Sequence, residues 1–202
     1  MFYAGGGNLI KKYNYCKKFL DNNINNNNKI VILPHTIFEV DEYIEKFNDN
    51  VIVICREKKS YNYVYSKIKN KNNLFLSKDM AFYLDVSKYK NIKGKDILNY
   101  FRNDKEKNKK INITIPDNNI DLSSEINYDR LMLDKNKVFK TAYEILDNVS
   151  KYELVNTDRL HGSIAGSLLN KKVKLYPNNY YKNKAVFNYS IKNYFKNTKF
   201  IK

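Results

Sequence analysis

The sequence is short of cysteine, proline, tryptophan and arginine. Its 202 residues hold two Cys, three Pro, four Arg and no Trp. Cys16 and Cys55 alone cannot staple a disulfide-built secreted scaffold. No run of about 18 apolar residues occurs, so no membrane span is expected and any membrane contact is peripheral. No basic stretch leads into an apolar core and a small-residue cleavage site, so no leader is expected and the expected compartment is the cytoplasm. The two His and two Cys lack ligand spacing, so no metal is expected. There is no G-x-S-x-G elbow to support a hydrolase triad. The acidic residues are scattered, and no carboxylate pair suits glycoside hydrolysis.

Lysine and asparagine fill the space instead, with 33 Lys, 32 Asn and 18 Tyr. The net charge is +16. Such a charge points first to nucleic acid or an anionic surface. Here Lys is spread along the chain without a dense basic block, in the manner of AT-rich coding drift. No specific nucleic-acid partner is therefore expected. A basic binding protein stays open as an alternative; it would gather Lys on one surface and bind in a salt-sensitive way. Against this drift the arginines stand out: Arg56, Arg102, Arg130 and Arg159. Where Lys serves, this sequence uses Lys. An Arg that persists points to a need for the planar fork that matches carboxylate and phosphate.

The length allows one or two domains of about 100–200 residues. Apolar runs alternate with helical periodicity. Strands are expected at 29–33 (ended by Pro34), 51–55, 74–76, 97–101, 111–115, 152–155 and 173–176. Helices are expected at 9–20, 38–47, 58–68, 138–149, 158–169 and 180–194, with a helical turn at 80–84. Continuous apolar strands between helices predict an α/β fold of parallel sheets covered on both faces. The polar, Lys-rich stretch 87–96 reads as a linker, which divides the chain into 1–93 and 94–202. In such sheets ligands sit at the carboxyl ends of the strands.

Four constellations fall there. Gly5-Gly6-Gly7-Asn8 follows an apolar run and is expected to open a helix, so that Gly6, Gly7 and Asn8 offer backbone to an anion. A plain strand-to-helix turn is its structural alternative. Arg56 closes the strand 51–55, with Ser60 near the start of the next helix; pairing of Arg56 with Glu57 is the alternative. Arg102 closes an apolar run, with Asp104 as its alternative partner. Arg159 and His161 lie in the first turn of a helix capped by Thr157 or Asp158. Cations there oppose the helix dipole unless an anion joins them; Asp158 is the alternative neutraliser. Arg130 sits in aperiodic sequence and is expected at the surface. His35 follows a strand end and is either site-facing or structural.

Taken in order, these residues resemble the polysaccharide pyruvyl transferase family. The matching elements are Gly5-Gly6-Gly7-Asn8, Ile32-Leu33-Pro34-His35-Thr36-Ile37, Arg56-Glu57 with Ser60, Leu74 to Ala81, and Arg159-Leu160-His161 before a small-residue helix. The resemblance implies a GT-B-like fold of two Rossmann-like halves facing a cleft. It implies transfer of the pyruvyl group of phosphoenolpyruvate onto two hydroxyls of a sugar or lipid-linked saccharide, with ketal formation and phosphate release. It needs no cofactor beyond that donor substrate. Arg159 and His161 match the positions that hold phosphoenolpyruvate, and Arg56 matches an arginine of the other half. Three residues depart from the pattern. Leu9-Ile10-Lys11 replaces a Gly-Asp pair, His35 stands for Gln, and Gly162 stands for a larger apolar residue. The family has strands and helices before the glycine motif, so the first half is expected to be N-terminally truncated, with an inactive copy as an alternative. A GT-B glycosyltransferase using a nucleotide sugar is the other alternative.

Overall fold

Two runs of branched aliphatic residues, 30–33 and 51–54, make the centre of the first sheet. The computed structural model describes residues 1–26, 28–110, 114–121 and 135–201. Arg130 and residues 111–113 of an expected strand lie outside these. The chain divides into two units, Met1–Phe82 and Tyr83–Lys202. The expected boundary lay after residue 93. It falls earlier because Leu84, Val86 and Tyr89 pack into the second core, beside Leu98, Tyr100 and Leu146.

In the first unit, β1 (Phe2–Tyr3) and β2 (Gly6–Ile10) form one edge, and both run parallel to β3 (Ile30–Phe38). Beyond β3 come β4 (Val51–Cys55) and β5 (Leu74–Leu76), again parallel. The connecting helices are α1 (Tyr15–Asn23), α2 (Asp41–Ile44) and α3 (Lys58–Tyr65). Cys16 and Leu20 of α1, Ile44 of α2 and Val64 of α3 join one core with Ile30, Ile32, Val51, Val53 and Leu74. Register places those strand residues on one face, so the three helices share that face.

Two expectations change here. The helix expected over 9–20 begins only at Tyr15, because Leu9 and Ile10 pair with Ile37 and Phe38 in the sheet. The glycine motif therefore lies in an edge strand and opens no helix. The strand expected to end at Pro34 continues to Phe38. Proline lacks an N–H, and the ladder to β4 shifts register between Ile32 and His35, where such a residue is tolerated.

The second unit repeats the plan with β6 (Ile97–Tyr100), β7 (Leu154–Thr157), β8 (Lys172–Leu175) and β9 (Thr198–Phe200). All three pairings are parallel. Its helices are α4 (Lys135–Ser150), α5 (Leu160–Leu168) and α6 (Lys182–Val186), the last running into a π-turn at Phe187–Ile191. Strand β9 had no counterpart in the sequence reading. Small residues let α5 sit close to the sheet. A Cβ on Gly162 would lie 2.7 Å from the Tyr100 ring, and one on Gly166 2.7 Å from Val173. The departure at Gly162 thus makes room for Tyr100, which is 1% exposed.

The expectation of helices on both sheet faces also changes. Among the described residues α1, α2 and α3 gather on one face of the first sheet, and α4 and α5 share one core with the second. The other face differs between the units. In the second it carries Ile97, Leu154, Lys172, Asn99, Asn156, Lys174 and Lys199 by register, with Asn99 buried against Asn118. In the first it carries Val31, Ile52 and Ile54, with Phe2 74% and Phe75 50% exposed.

Candidate functional site

The carboxyl ends of β2, β3, β4 and β5 bring together the first group of expected residues. Edge strand β2 shifts register between Gly6 and Leu9. The shift turns the N–H groups of Asn8 and Leu9 away from the ladder and toward His35. Imidazole Nε2 accepts from both, at 3.1 and 3.2 Å. The Asn8 side-chain oxygen Oδ1 lies 2.9 Å from the same nitrogen and also accepts from Tyr3 Oη at 3.2 Å. Nε2 thus faces two N–H donors and one carbonyl oxygen, while Nδ1 is buried with no hydrogen-bond partner among the described residues. Complete burial, followed by the nearby Arg56 charge, pushes the His35 pKa down to about 3 and keeps it neutral. A glutamine carbonyl would also be an acceptor, so the departure at His35 preserves the chemistry of the position.

Arg56 leaves β4 and is 1% exposed. Its Nε donates to Thr36 Oγ1 at 2.8 Å and its Nη1 to Asp79 Oδ2 at 2.6 Å. Glu57, the partner considered from sequence, does something else. It caps α3, accepting from the Lys59 and Ser60 N–H groups and from Ser60 Oγ. Ser60 in turn accepts the Ile37 N–H at 2.9 Å. The Arg56 guanidinium is thus a buried ion-pair member and presents no donor face to water. Burial requires a carboxylate beside it, and Asp79 supplies one.

The second group gathers at the carboxyl ends of β6, β7 and β8. Arg159 occupies the N-cap position of α5, and its N–H donates to Thr157 Oγ1 at 2.9 Å. The cap expected at Thr157 or Asp158 thus sits one or two residues later. Asp121 grips the Arg159 guanidinium side-on, Nε to Oδ1 at 3.1 Å and Nη2 to Oδ2 at 2.5 Å. Asp104 takes Nη1 at 2.8 Å. Burial lowers the Arg159 pKa, but the bond to Asp121 and the Asp121 and Asp104 charges outweigh it, and the net direction is up. Arg102 is 6% exposed, with Nε 3.2 Å from Asp104 and Nη1 donating to Glu106. Lys182 shares Glu106 at 2.5 Å. His161, the second residue of α5, is exposed.

Asp158 does not neutralise Arg159. Its Oδ1 accepts the Arg102 N–H at 2.8 Å. Burial pushes its pKa up to about 6, against the opposing pull of that bond and of the Arg102 and Arg159 charges. A carboxyl raised in the fold favours folding fully below the ordinary value and loses that contribution as pH rises through about 6. Asp158→Asn keeps the acceptor and removes the titration. The variant is expected to gain about 1–3 kcal/mol on the parent between pH 4 and 7.5, read from urea midpoints. Parallel pH profiles for the two proteins would rule out Asp158 as the titrating group.

Sequence reasoning missed Asp79, Asp104 as an Arg159 partner, Glu106, Asp121 and Lys182. Topology offered one signal: β4 and β5 are adjacent, so the residues just past their ends, Arg56 and Asp79, are brought together. Among the described residues no group of three or more His, Cys, Asp or Glu side chains is placed to hold a metal. Nor is any helix there long and apolar enough to cross a membrane.

No curated protein matches the chain. A solved structure of an uncharacterized protein from Klebsiella pneumoniae is similar over 100% of this chain and 74% of that one, with TM-score 0.83 and 38% identity. The similarity extends the fold of parallel-sheet, Rossmann-like units to a crystal structure. The family model described as polysaccharide pyruvyl transferase matches residues 1–180. The chain belongs to the polysaccharide pyruvyl transferase family.

Proposed function

We propose that the protein transfers the pyruvyl group of phosphoenolpyruvate onto two hydroxyls of a saccharide that is a precursor of a surface or extracellular polysaccharide. The observation that carries this reading is the β7–α5 junction, where Arg159 and His161 stand at the N-terminus of a helix in a chain of this family. A strand end that opens a helix is where anionic ligands bind in parallel sheets. In this reading the methylene carbon of the donor takes a proton and C2 becomes electrophilic. One sugar hydroxyl attacks C2, phosphate leaves with its bridging oxygen, and the second hydroxyl closes the ketal. Arg159 grips an oxyanion of the donor, and His161, two positions on, holds or protonates the departing phosphate. Arg102 is assigned a supporting role beside Arg159 from a buried position in the same unit, and Gly6, Gly7, Asn8 and Arg56 are assigned substrate-binding roles within the first unit on the family resemblance.

Thermal melting with added ligands tests the reading. Phosphoenolpyruvate at about one hundred times its Kd is expected to stabilise the fold by about 2.7 kcal/mol, a shift of several degrees. Stabilisation by a UDP-sugar with none from phosphoenolpyruvate would reassign the chain to nucleotide-sugar chemistry.

A further inference from the structure

Arg159 has five N–H donors. Among the described residues, three are engaged. Asp121 takes the side-on pair, Nε and one N–H of Nη2, and Asp104 takes one N–H of Nη1. One donor on each Nη remains for a further acceptor.

Asp121 is itself held. Its Oδ2 lies 3.3 Å from the Asn103 N–H. The residues before it are strapped to β6 and its exit. The Ile120 N–H donates to the Asn99 carbonyl at 2.9 Å. The Asn119 side chain accepts the Phe101 N–H at 2.7 Å and donates to the Phe101 carbonyl at 3.0 Å. Asn118 accepts from the Asn99 amide at 2.9 Å. Asp104 is likewise tied, accepting the Glu106 N–H at 2.9 Å. The two carboxylates reach Arg159 from segments fixed to the exit of the neighbouring strand.

Resting on the function proposed above, we infer that Asp121 is a positioning residue for Arg159. It occupies the side-on fork and aims the remaining Nη donors at one oxyanion of the donor substrate. Two consequences follow from the chemistry. Asp121 and Asp104 already compensate the Arg159 charge, so its grip on the donor depends on directed hydrogen bonds rather than on surplus charge. Without Asp121 the long side chain would be held by Asp104 alone, through Nη1, and the fork would lose that direction.

The test is calorimetric binding of phosphoenolpyruvate, and separately of inorganic phosphate, to the full chain and to two variants. Asp121→Asn keeps size but replaces one acceptor with a donor facing an N–H. It is expected to weaken phosphoenolpyruvate affinity by about tenfold or more. Asp121→Glu keeps the carboxylate and is expected to recover most of that loss. The Arg159 Nε–H resonance, slowed in exchange by its bond to Asp121, is expected to be lost in Asp121→Asn and kept in Asp121→Glu. A purely structural role would lower both variants' stability without this split. Equal or tighter binding by folded Asp121→Asn, with the parent binding normally, overturns the positioning role and leaves the proposed function standing. Failure of the parent to bind phosphoenolpyruvate removes both.

Discussion

Replacing Glu106 with glutamine is expected to destabilise the second unit by about 3–5 kcal/mol, the range seen when one partner leaves a buried ion pair. Glu106 is 3% exposed and serves two cations, Arg102 and Lys182, which are 6% and 8% exposed. Glutamine offers a carbonyl but no charge. Lys182 would lose the charge opposite its ammonium, and Arg102 would keep only the half-exposed Asp104, 3.2 Å from its Nε, as an ion-pair carboxylate among the described residues. Domain stabilities of about 5–15 kcal/mol leave little after such a loss. The pH dependence has a definite sign. Burial raises the Glu106 pKa, but the Lys182 and Arg102 charges outweigh it and hold it down at about 2. A depressed carboxyl contributes stability above its unfolded value, lost as pH falls from about 4.5 through 2. The parent should weaken across that window, and Glu106→Gln should lack this component. Urea unfolding followed by far-UV circular dichroism reads both, since the chain has no Trp to report by fluorescence. A loss under about 1 kcal/mol would mean that water reaches the two cations.

The elements legible in the sequence are those whose pattern is local. Val51–Cys55 is an uninterrupted aliphatic run and is strand β4 with the expected bounds. Val138–Val149 carries a helical period and lies inside α4. The failure at Leu9–Leu20 has a physical cause. Leu9 and Ile10 are buried by the sheet, whereas Cys16 and Leu20 are buried by a helix, and the two sets happen to continue one period. Pro34 reads as a strand end because the bulge that admits it depends on two neighbouring strands.

The candidate site divides the same way. The junction carrying Arg159 and His161 was legible because it is contiguous: a strand, a turn and a helix of small residues. The partners of Arg159 were not, since Asp121 is 38 residues away and Asp104 is 55. Nothing in an aperiodic, Lys-rich stretch marks one Asp as structural. The persistence of Arg amid Lys pointed to bidentate pairing, which Arg159 makes with Asp121, whereas Arg56 and Arg102 spread their donors over separate partners. It did not tell an internal carboxylate from that of a ligand, because the guanidinium fork fits both.

Asp79→Ala is expected to have a comparable effect in the first unit, about 3–5 kcal/mol, for a sharper reason. Arg56 is 1% exposed and Asp79 is 3% exposed. Their bond, 2.6 Å, is the carboxylate contact of the Arg56 guanidinium. Asp79 also accepts the Ala81 N–H at 2.9 Å, so alanine removes a turn cap as well. The consequences extend to His35, whose ring is held neutral in part by the Arg56 charge and is pulled the other way by Asp79. Removing Asp79 leaves Arg56 unopposed there and pushes the ring further toward neutrality, so His35 should still accept from Asn8 and Leu9. The local damage should therefore centre on Arg56 and the turn after β5, leaving the β2 bulge in place. A double replacement separates charge from shape. Arg56→Met with Asp79→Leu removes both charges and is expected to recover most of the stability lost by Asp79→Ala, as apolar substitutes for buried ion pairs often do. Unfolding midpoints in urea, with amide exchange at Asn8 and Leu9 as the local reading, check both statements. A single variant within about 1 kcal/mol of the parent would show that the buried guanidinium finds another counter-charge.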